Sequence, residues 1–224
     1  MITTSLKSNY EVFSKWGKRS IVSTITFMVL LLLLHFIKPE LDPSWRMVSE
    51  YAIGNLGWLM SLAFLAWAAA FIALYMALRS HIHNLIGKIG LVLLLISALG
   101  LVLAGLFTTD PVTQVSEPTT SGALHSIGGT LGMAMPFSAL FLCISLVKNP
   151  AWKAKKRTIV TATVIAWIGF LLAMGMMGVL LSESKGVFSP ETPVGIPNRF
   201  EVLCYCIWLI VISRISSRLQ TYAQ

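Results

Sequence analysis

Hydrophobic residues in the chain fall into six long runs, separated by short segments rich in polar and charged residues. A helix needs roughly 20 apolar residues to cross the hydrocarbon core of a bilayer, and each run reaches that length with its flanks. A lipid-exposed backbone must satisfy its own hydrogen bonds, which a helix does. The pattern predicts an all-α fold, an integral membrane bundle of six transmembrane helices. The runs are residues 21–37, 51–78, 89–107, 123–147, 158–181 and 200–212.

Composition supports lipid as the solvent of this chain. Of its 224 residues, 56% are hydrophobic and only 12% are charged, whereas soluble domains carry about 25% charged residues. The net charge of +8 does not indicate nucleic-acid binding, because the basic residues lie between apolar runs rather than on one soluble surface. The three cysteines all lie inside apolar runs, so no disulfide framework is expected.

The distribution of charge between the linkers predicts the orientation. If the N-terminus is cytoplasmic, thirteen of the 17 Lys and Arg residues face the cytoplasm, while eight of the 9 acids face outward. The positive-inside rule therefore predicts that both termini are cytoplasmic, N-in and C-in. The first run lacks a small-x-small cleavage site and is expected to be a retained helix. The predicted parts are a cytoplasmic segment 1–18, the transmembrane domain 19–216 and a cytoplasmic tail 217–224.

Ionisable residues gather at the predicted outer ends of the helices. Each even-numbered helix enters from that side with such a residue, and the first and third helices end there with one. A bundle places these ends at a similar depth, so the side chains are candidates for one shared site. The candidates are Ser49, Glu50, Asp110, His125, Arg199 and His35.

Two of these residues head stripes of small residues at helical spacing. Positions i, i+4, i+7 and i+11 share a helix face, and small residues favour close helix contacts. The spacing predicts that Glu50 and His125 point inward, toward Asp110 and Arg199. The two stripes are Glu50, Gly54, Gly57 and Ser61, and His125, Gly129, Gly132 and Pro136.

Four interpretations of this set remain open at the level of sequence. The residues can be purely structural, within a non-catalytic scaffold or assembly protein. They can form a binding pocket for a lipid headgroup or other amphiphile, in which Arg199 holds an anion and Glu50, Asp110, His125 and Ser49 add polar contacts. A small transporter is the third interpretation, although no charged residue occupies the middle of any helix.

Hydrolysis is the fourth interpretation. His35, His125 and Asp110 offer nitrogen and oxygen ligands that zinc accepts, and Glu50, Asp110 or His125 are the candidate catalytic groups. No HExxH spacing and no GxSxG motif is present in the sequence, so the residues do not decide whether the protein is an enzyme.

Four segments resemble the family catalogued as domain of unknown function 998, polytopic membrane proteins of bacteria and archaea. They are PELDPSWRMVSEYAIGNLGW at 39–58, GLFTTDP at 105–111, SGALHS at 121–126 and GIPNRFE at 195–201. The family more usually has Pro where Thr108 stands. The resemblance implies a six-helix membrane fold and points to Ser49, Glu50, Asp110, His125 and Arg199, but it implies no activity.

The resulting hypothesis is a multi-pass protein of a prokaryotic inner (plasma) membrane with a periplasmic-facing polar pocket. Arg199 is the predicted anion clamp, and membrane lipid is the predicted partner. A homo- or hetero-oligomer within the membrane is compatible with the sequence.

Overall fold

The computed structural model describes residues 2–114 and 117–218, and within these ranges the fold is all-helical. Six spans are long and apolar enough to cross a membrane, as the apolar runs predict. Part of the predicted C-terminal tail, from residue 219 onward, lies outside the described residues. The helices are α1 (Ile2–Ile37), α2 (Trp58–Leu78), α3 (Leu85–Leu106), α4 (Thr120–Gly132), α5 (Met135–Leu146), α6 (Lys156–Glu183) and α7 (Gly195–Arg218).

The first helix begins earlier than its apolar run suggests. Helix α1 is continuous from Ile2, so it includes most of the predicted N-terminal segment 1–18. The span that meets the length and hydropathy needed for crossing runs from Lys15 to Ile37.

The fourth span consists of two helices, α4 and α5, instead of the single helix predicted over 123–147. The break falls at Met133 and Ala134, directly before Pro136 in the first turn of α5. Proline has no N–H and is most easily accommodated in the first turn of a helix, where that donor would be unpaired in any case. Pro136 therefore marks the place where a second helix starts.

The second helix begins later than the predicted start at Tyr51. Residues Val48–Ala52 form a short 3-10 helix, and Gly54 and Leu56 follow with φ of 72° and 60°. A left-handed conformation cannot continue an α-helix. Glu50 is therefore not on α2, and the predicted stripe that begins with it is wrong.

The second predicted stripe holds only in part, because the close helix contact is made by a neighbouring glycine. A Cβ placed on Gly128 would lie 2.6 Å from the carbonyl oxygen of Gly100, and one on Gly100 would lie 2.4 Å from that of Gly128. A Cβ on Gly129 or Gly132 would meet nothing within 4 Å. Helices α3 and α4 thus approach through Gly100 and Gly128, while Gly129 and Gly132 face open space.

Hydroxyl groups link the helices inside the bundle. Ser213 donates to Ser20 at 2.8 Å, and Ser20 donates to the carbonyl of Ala70 at 2.9 Å, which joins α7, α1 and α2. Ser138 on α5 donates to the carbonyl of Gly90 on α3 at 2.8 Å. Such bonds satisfy polar groups that have no access to water.

Three connecting segments meet at one end of the bundle, which we call the polar end. Its described segments are 38–57, 107–114, 117–119 and 184–194. The amide of Ile196 donates to the carbonyl of Ser44 at 3.1 Å, and that of Val48 donates to Asn198 Oδ1 at 3.0 Å. The start of α7 is therefore fastened to the loop after α1, which fixes the position of Arg199.

The opposite end, which we call the basic end, carries the short connections 79–84 and 147–155. Trp152 is fully buried there, and the cations around it are exposed, namely Lys148, Lys153, Lys155, Lys156 and Arg157. The two ends therefore differ sharply in charge.

Candidate functional site

Arg199 is the centre of a hydrogen-bond network at the polar end. Its Nε donates to Nε2 of His35 at 2.8 Å, and its Nη1 donates to the carbonyls of Arg46 at 2.7 Å and Gly195 at 3.1 Å. Its Nη2 donates to the hydroxyl of Tyr51 at 3.3 Å. The guanidinium thus joins α1, the loop after it and α7.

These contacts determine the protonation state of His35. Its Nδ1 lies 2.7 Å from the carbonyl of Leu31, which can only accept, so Nδ1 carries the proton. Its Nε2 accepts from Arg199 and carries none. His35 is therefore a neutral imidazole, and its ring rests on Tyr51 with 4.9 Å between the ring centroids.

No carboxylate pairs with Arg199 within ion-pair distance among the described residues. The salt bridge found there joins Arg46 to Glu50 at 3.3 Å. Asp42 interacts electrostatically with Arg199 from beyond ion-pair distance. Hydrogen bonds from Ser44 are the main reason that the pKa of Asp42 is lowered, and the positive charge of Arg199 lowers it further. The four hydrogen bonds of Arg199 itself go to neutral acceptors.

Glu50 is fully buried and holds two loops together. Its Oε2 accepts from the amide of Met47 at 2.9 Å, and its Oε1 accepts from the amide of Val112 at 3.0 Å. The salt bridge to Arg46 completes its surroundings. Arg46 links Glu50 to Arg199, because its side chain pairs with Glu50 and its carbonyl accepts from Arg199. The Glu50 carboxylate also interacts electrostatically with Arg199, without a contact at ion-pair distance.

Asp110 lies against the first turn of α4. Its two oxygens accept from the amide and the hydroxyl of Thr119, at 2.9 and 2.7 Å. A Cβ on Gly122 would lie 2.0 Å from Oδ2 of Asp110, so only glycine leaves room for the carboxylate. A carboxylate is favourable at a helix N-terminus, because the exposed amides there carry partial positive charge.

His125 is buried and bonds to the backbone. Its Nδ1 lies 2.8 Å from the carbonyl of Phe107, and the ring of Phe64 packs edge-on at 5.8 Å. His125 thus points inward, as the spacing predicts, but its partner is the carbonyl at the end of α3. The carboxylate of Asp110 is engaged by Thr119.

The predicted site residues therefore form two groups. His35 and Glu50 belong to the network of Arg199, whereas Asp110 and His125 lie between α3 and α4. The amide of Val112, which donates to Glu50, connects the groups. Ser49 is half-buried in the 3-10 helix beside Glu50, and its hydroxyl makes no hydrogen bond within the described part of the chain.

The structure does not bring the three candidate zinc ligands together. His35 faces Arg199, Asp110 faces Thr119, and His125 faces Phe107. Within residues 2–114 and 117–218, no group of three or more His, Cys, Asp and Glu side chains is spaced to hold a metal ion.

Sequence reasoning missed the role of Lys38. This residue is buried, and its ammonium donates to the carbonyl of Tyr51 at 3.1 Å and to that of Ile53. Burial lowers its pKa, which the charge of Glu40 partly opposes. The pattern shows only a charged residue after an apolar run, which is typical of an exposed flank. Lys38 instead fixes the backbone around Tyr51, the hydroxyl partner of Arg199.

Six apolar spans, with a hydrogen-bond network at one end of the bundle, define a polytopic α-helical membrane protein. A family model matches residues 21–215, which is most of the chain. The chain belongs to that family, described as Protein of unknown function (DUF998), which confirms the resemblance in the four segments. No curated protein and no solved structure matches the chain.

Proposed function

We propose that this protein binds the anionic headgroup of a membrane lipid or other amphiphile at Arg199. The observation that carries the proposal is the set of neutral acceptors around the guanidinium. They position Arg199 without neutralising it. Arginine has five N–H donors, and the four bonds leave one N–H of Nη2 for a ligand.

The surroundings favour an anion at this position. Arg199 is only part-exposed at the end of a membrane-spanning helix. A cation removed from bulk water is costly unless it is paired, and a phosphate oxygen can accept a charge-assisted hydrogen bond from the remaining N–H. Aromatic residues that prefer the membrane interface lie nearby, with Trp45 stacked under Arg46 at 4.7 Å and Trp58 exposed.

The proposal is limited to binding. Glu50, Asp110 and His125 engage backbone or side-chain partners that fix the loops, and no contact among them favours a particular reaction. Hydrolysis and transport therefore have no specific observation in their support, and a purely structural polar end is an outcome of the test below.

The proposed location is the inner (plasma) membrane of a prokaryote, with both termini in the cytoplasm and the polar end facing the periplasm. The excess of basic residues at the opposite end supports this orientation. Cysteines replacing Lys185 and Lys153 test it, because the native cysteines are buried. A membrane-impermeant maleimide applied to whole cells should label Lys185→Cys and spare Lys153→Cys. The reverse pattern would refute the orientation.

Analysis of co-purified lipids tests the binding itself. Wild type, Arg199→Gln and Lys185→Gln are purified from the same membranes in a mild detergent, and the bound phospholipids are quantified. Lys185 is exposed at the same end. Lys185→Gln therefore removes one positive charge from that end, as Arg199→Gln does. Enrichment of anionic phospholipid in wild type and Lys185→Gln, and its loss in Arg199→Gln, is expected. Equal amounts of bound anionic phospholipid in all three folded proteins would mean that the polar end has a purely structural role.

A further inference from the structure

A groove between α1 and α7 leads away from Arg199 toward the middle of the bundle. Its volume is about 260 Å³. His35 and Arg199 lie at one end, and Phe27 and Cys206 lie at the other. The remaining lining residues are apolar and come from both helices.

The length of the groove matches one leaflet. Residues 27–35 of α1 border it, and a rise of 1.5 Å per residue gives a length of about 12 Å. The hydrocarbon core of a bilayer is about 30 Å thick, so one leaflet contributes roughly half of that. The groove thus runs from the polar end to a depth near the centre of the membrane.

Polarity changes along the groove in the same way as along a phospholipid. The side chains with ionisable groups at its head are Arg199 and the neutral His35. Below them the floor is formed by buried Phe27, and the rim by Leu32 and Leu203, which are 59% and 44% exposed. An acyl chain fits the apolar part, and an attached anionic headgroup meets the guanidinium.

We propose that this groove holds one acyl chain of an anionic phospholipid from the leaflet at the polar end, with the phosphate at Arg199. The inference rests on the proposed function and adds a ligand class to it, a lipid whose chain and headgroup are recognised together. Charge complementarity at one end of the groove is what distinguishes this lipid from the bulk lipid that covers the rest of the bundle.

A second groove supplies an internal control. It lies between α5 and α6, has a volume of about 500 Å³ and is lined by residues such as Leu140, Val164, Trp167 and Leu171. No charged side chain lines it. Bulk lipid is expected to enter this larger groove without regard to headgroup charge.

Photocrosslinking in liposomes compares the two grooves directly. The probe is phosphatidylglycerol with a diazirine in one acyl chain, and phosphatidylcholine with the same chain is the zwitterionic control. Adducts are located by peptide mass spectrometry. With the anionic probe, adducts should be enriched in the α1–α7 groove over the α5–α6 groove. The zwitterionic probe should show no such enrichment, and Arg199→Gln should abolish it.

Two groove-filling variants separate this inference from the proposed function. Leu203→Trp fills the α1–α7 groove, and Leu171→Trp fills the other, each at an exposed position that tolerates a larger side chain. Leu203→Trp should reduce the anionic adducts in its groove, while Leu171→Trp should leave them unchanged. Even adducts in both grooves, with anionic lipid still bound in an Arg199-dependent way, would overturn the groove assignment alone. If Arg199→Gln leaves the amount of bound anionic lipid unchanged, the proposed function is overturned as well.

Discussion

Arg199 donates its Nε–H to Nε2 of His35 across 2.8 Å, although the two residues are 164 positions apart in the chain. The bond connects the first and last membrane-spanning helices at the polar end. It also requires a neutral imidazole, because a protonated histidine has no acceptor for the guanidinium. His35 therefore positions the guanidinium of Arg199 without neutralising its positive charge.

Removing the imidazole should destabilise the fold. His35→Ala leaves the Nε–H of Arg199 without its acceptor in a part-buried site, and an unpaired buried donor costs about 1–3 kcal/mol. We expect a lower melting temperature in thermal unfolding followed by circular dichroism in detergent. His83→Ala, at an exposed residue of the basic end, is the control and should melt like wild type. Equal melting of the two variants would show that the bond contributes no stability.

Loss of the Glu50 charge should have a larger effect on stability. Glu50 is fully buried and binds two backbone amides and Arg46. Glu50→Gln replaces one acceptor oxygen by a donor and leaves Arg46 unpaired, which we expect to cost about 3 kcal/mol. The matched change at the exposed Glu117 should cost less than about 0.5 kcal/mol. A Glu50→Gln protein that unfolds like the Glu117→Gln protein would contradict the structural role of this carboxylate.

The contact between α3 and α4 implies that two glycines of α4 differ in their tolerance of a larger side chain. Gly128→Ala places a methyl group 2.6 Å from the carbonyl of Gly100, and we expect overpacking to cost about 1–3 kcal/mol. Gly132→Ala meets nothing within 4 Å, so the higher helix propensity of alanine should make it neutral or stabilising. Both variants are compared by thermal unfolding. The opposite order of stability would mean that the helices do not meet at Gly128.

Asp42 should weaken the binding of anions at Arg199, because its carboxylate lies within electrostatic reach of the guanidinium. The pKa of Asp42 is lowered below its usual 3.8, mainly by Ser44. The carboxylate is therefore charged at neutral pH and is neutralised only as the pH falls through that lowered value. We expect Asp42→Asn to raise the affinity for phosphatidylglycerol a few-fold at neutral pH, measured by native mass spectrometry.

Two controls accompany the Asp42 variant. Glu191→Gln removes another exposed acid of the polar end and should leave the affinity unchanged. The effect of Asp42→Asn should also shrink in high salt, because exposed charges are screened. An identical gain in both variants would assign the effect to net charge rather than to Asp42.

The six spans were predictable from sequence because apolar length directly reflects the thickness of the membrane. The start of α2 was not, since the left-handed conformation at Leu56 leaves no mark in an apolar run. Pro136 was visible, but proline also occurs inside transmembrane helices, so the break before it was not evident.

Side-chain partners within the site depend on the rotation of each helix about its axis. His35 and His125 look alike in the sequence as histidines at helix ends. The structure places the first against Arg199 and the second against the carbonyl of Phe107. Arg199 stands out in the sequence as a charged residue at the start of the last helix, whereas its neutral acceptors are visible only in three dimensions.

The central claim is that Arg199 binds the anionic headgroup of a lipid, and a titration with phosphatidylglycerol followed by native mass spectrometry tests it most directly. Losing a charge-assisted hydrogen bond costs about 1.5–3 kcal/mol, so Arg199→Gln should raise the Kd roughly tenfold or more relative to the charge-matched Lys185→Gln. Arg199→Lys should fall between them, because it keeps the charge but cannot make all four hydrogen bonds that position the guanidinium. Equal Kd values for Arg199→Gln and Lys185→Gln would contradict the account.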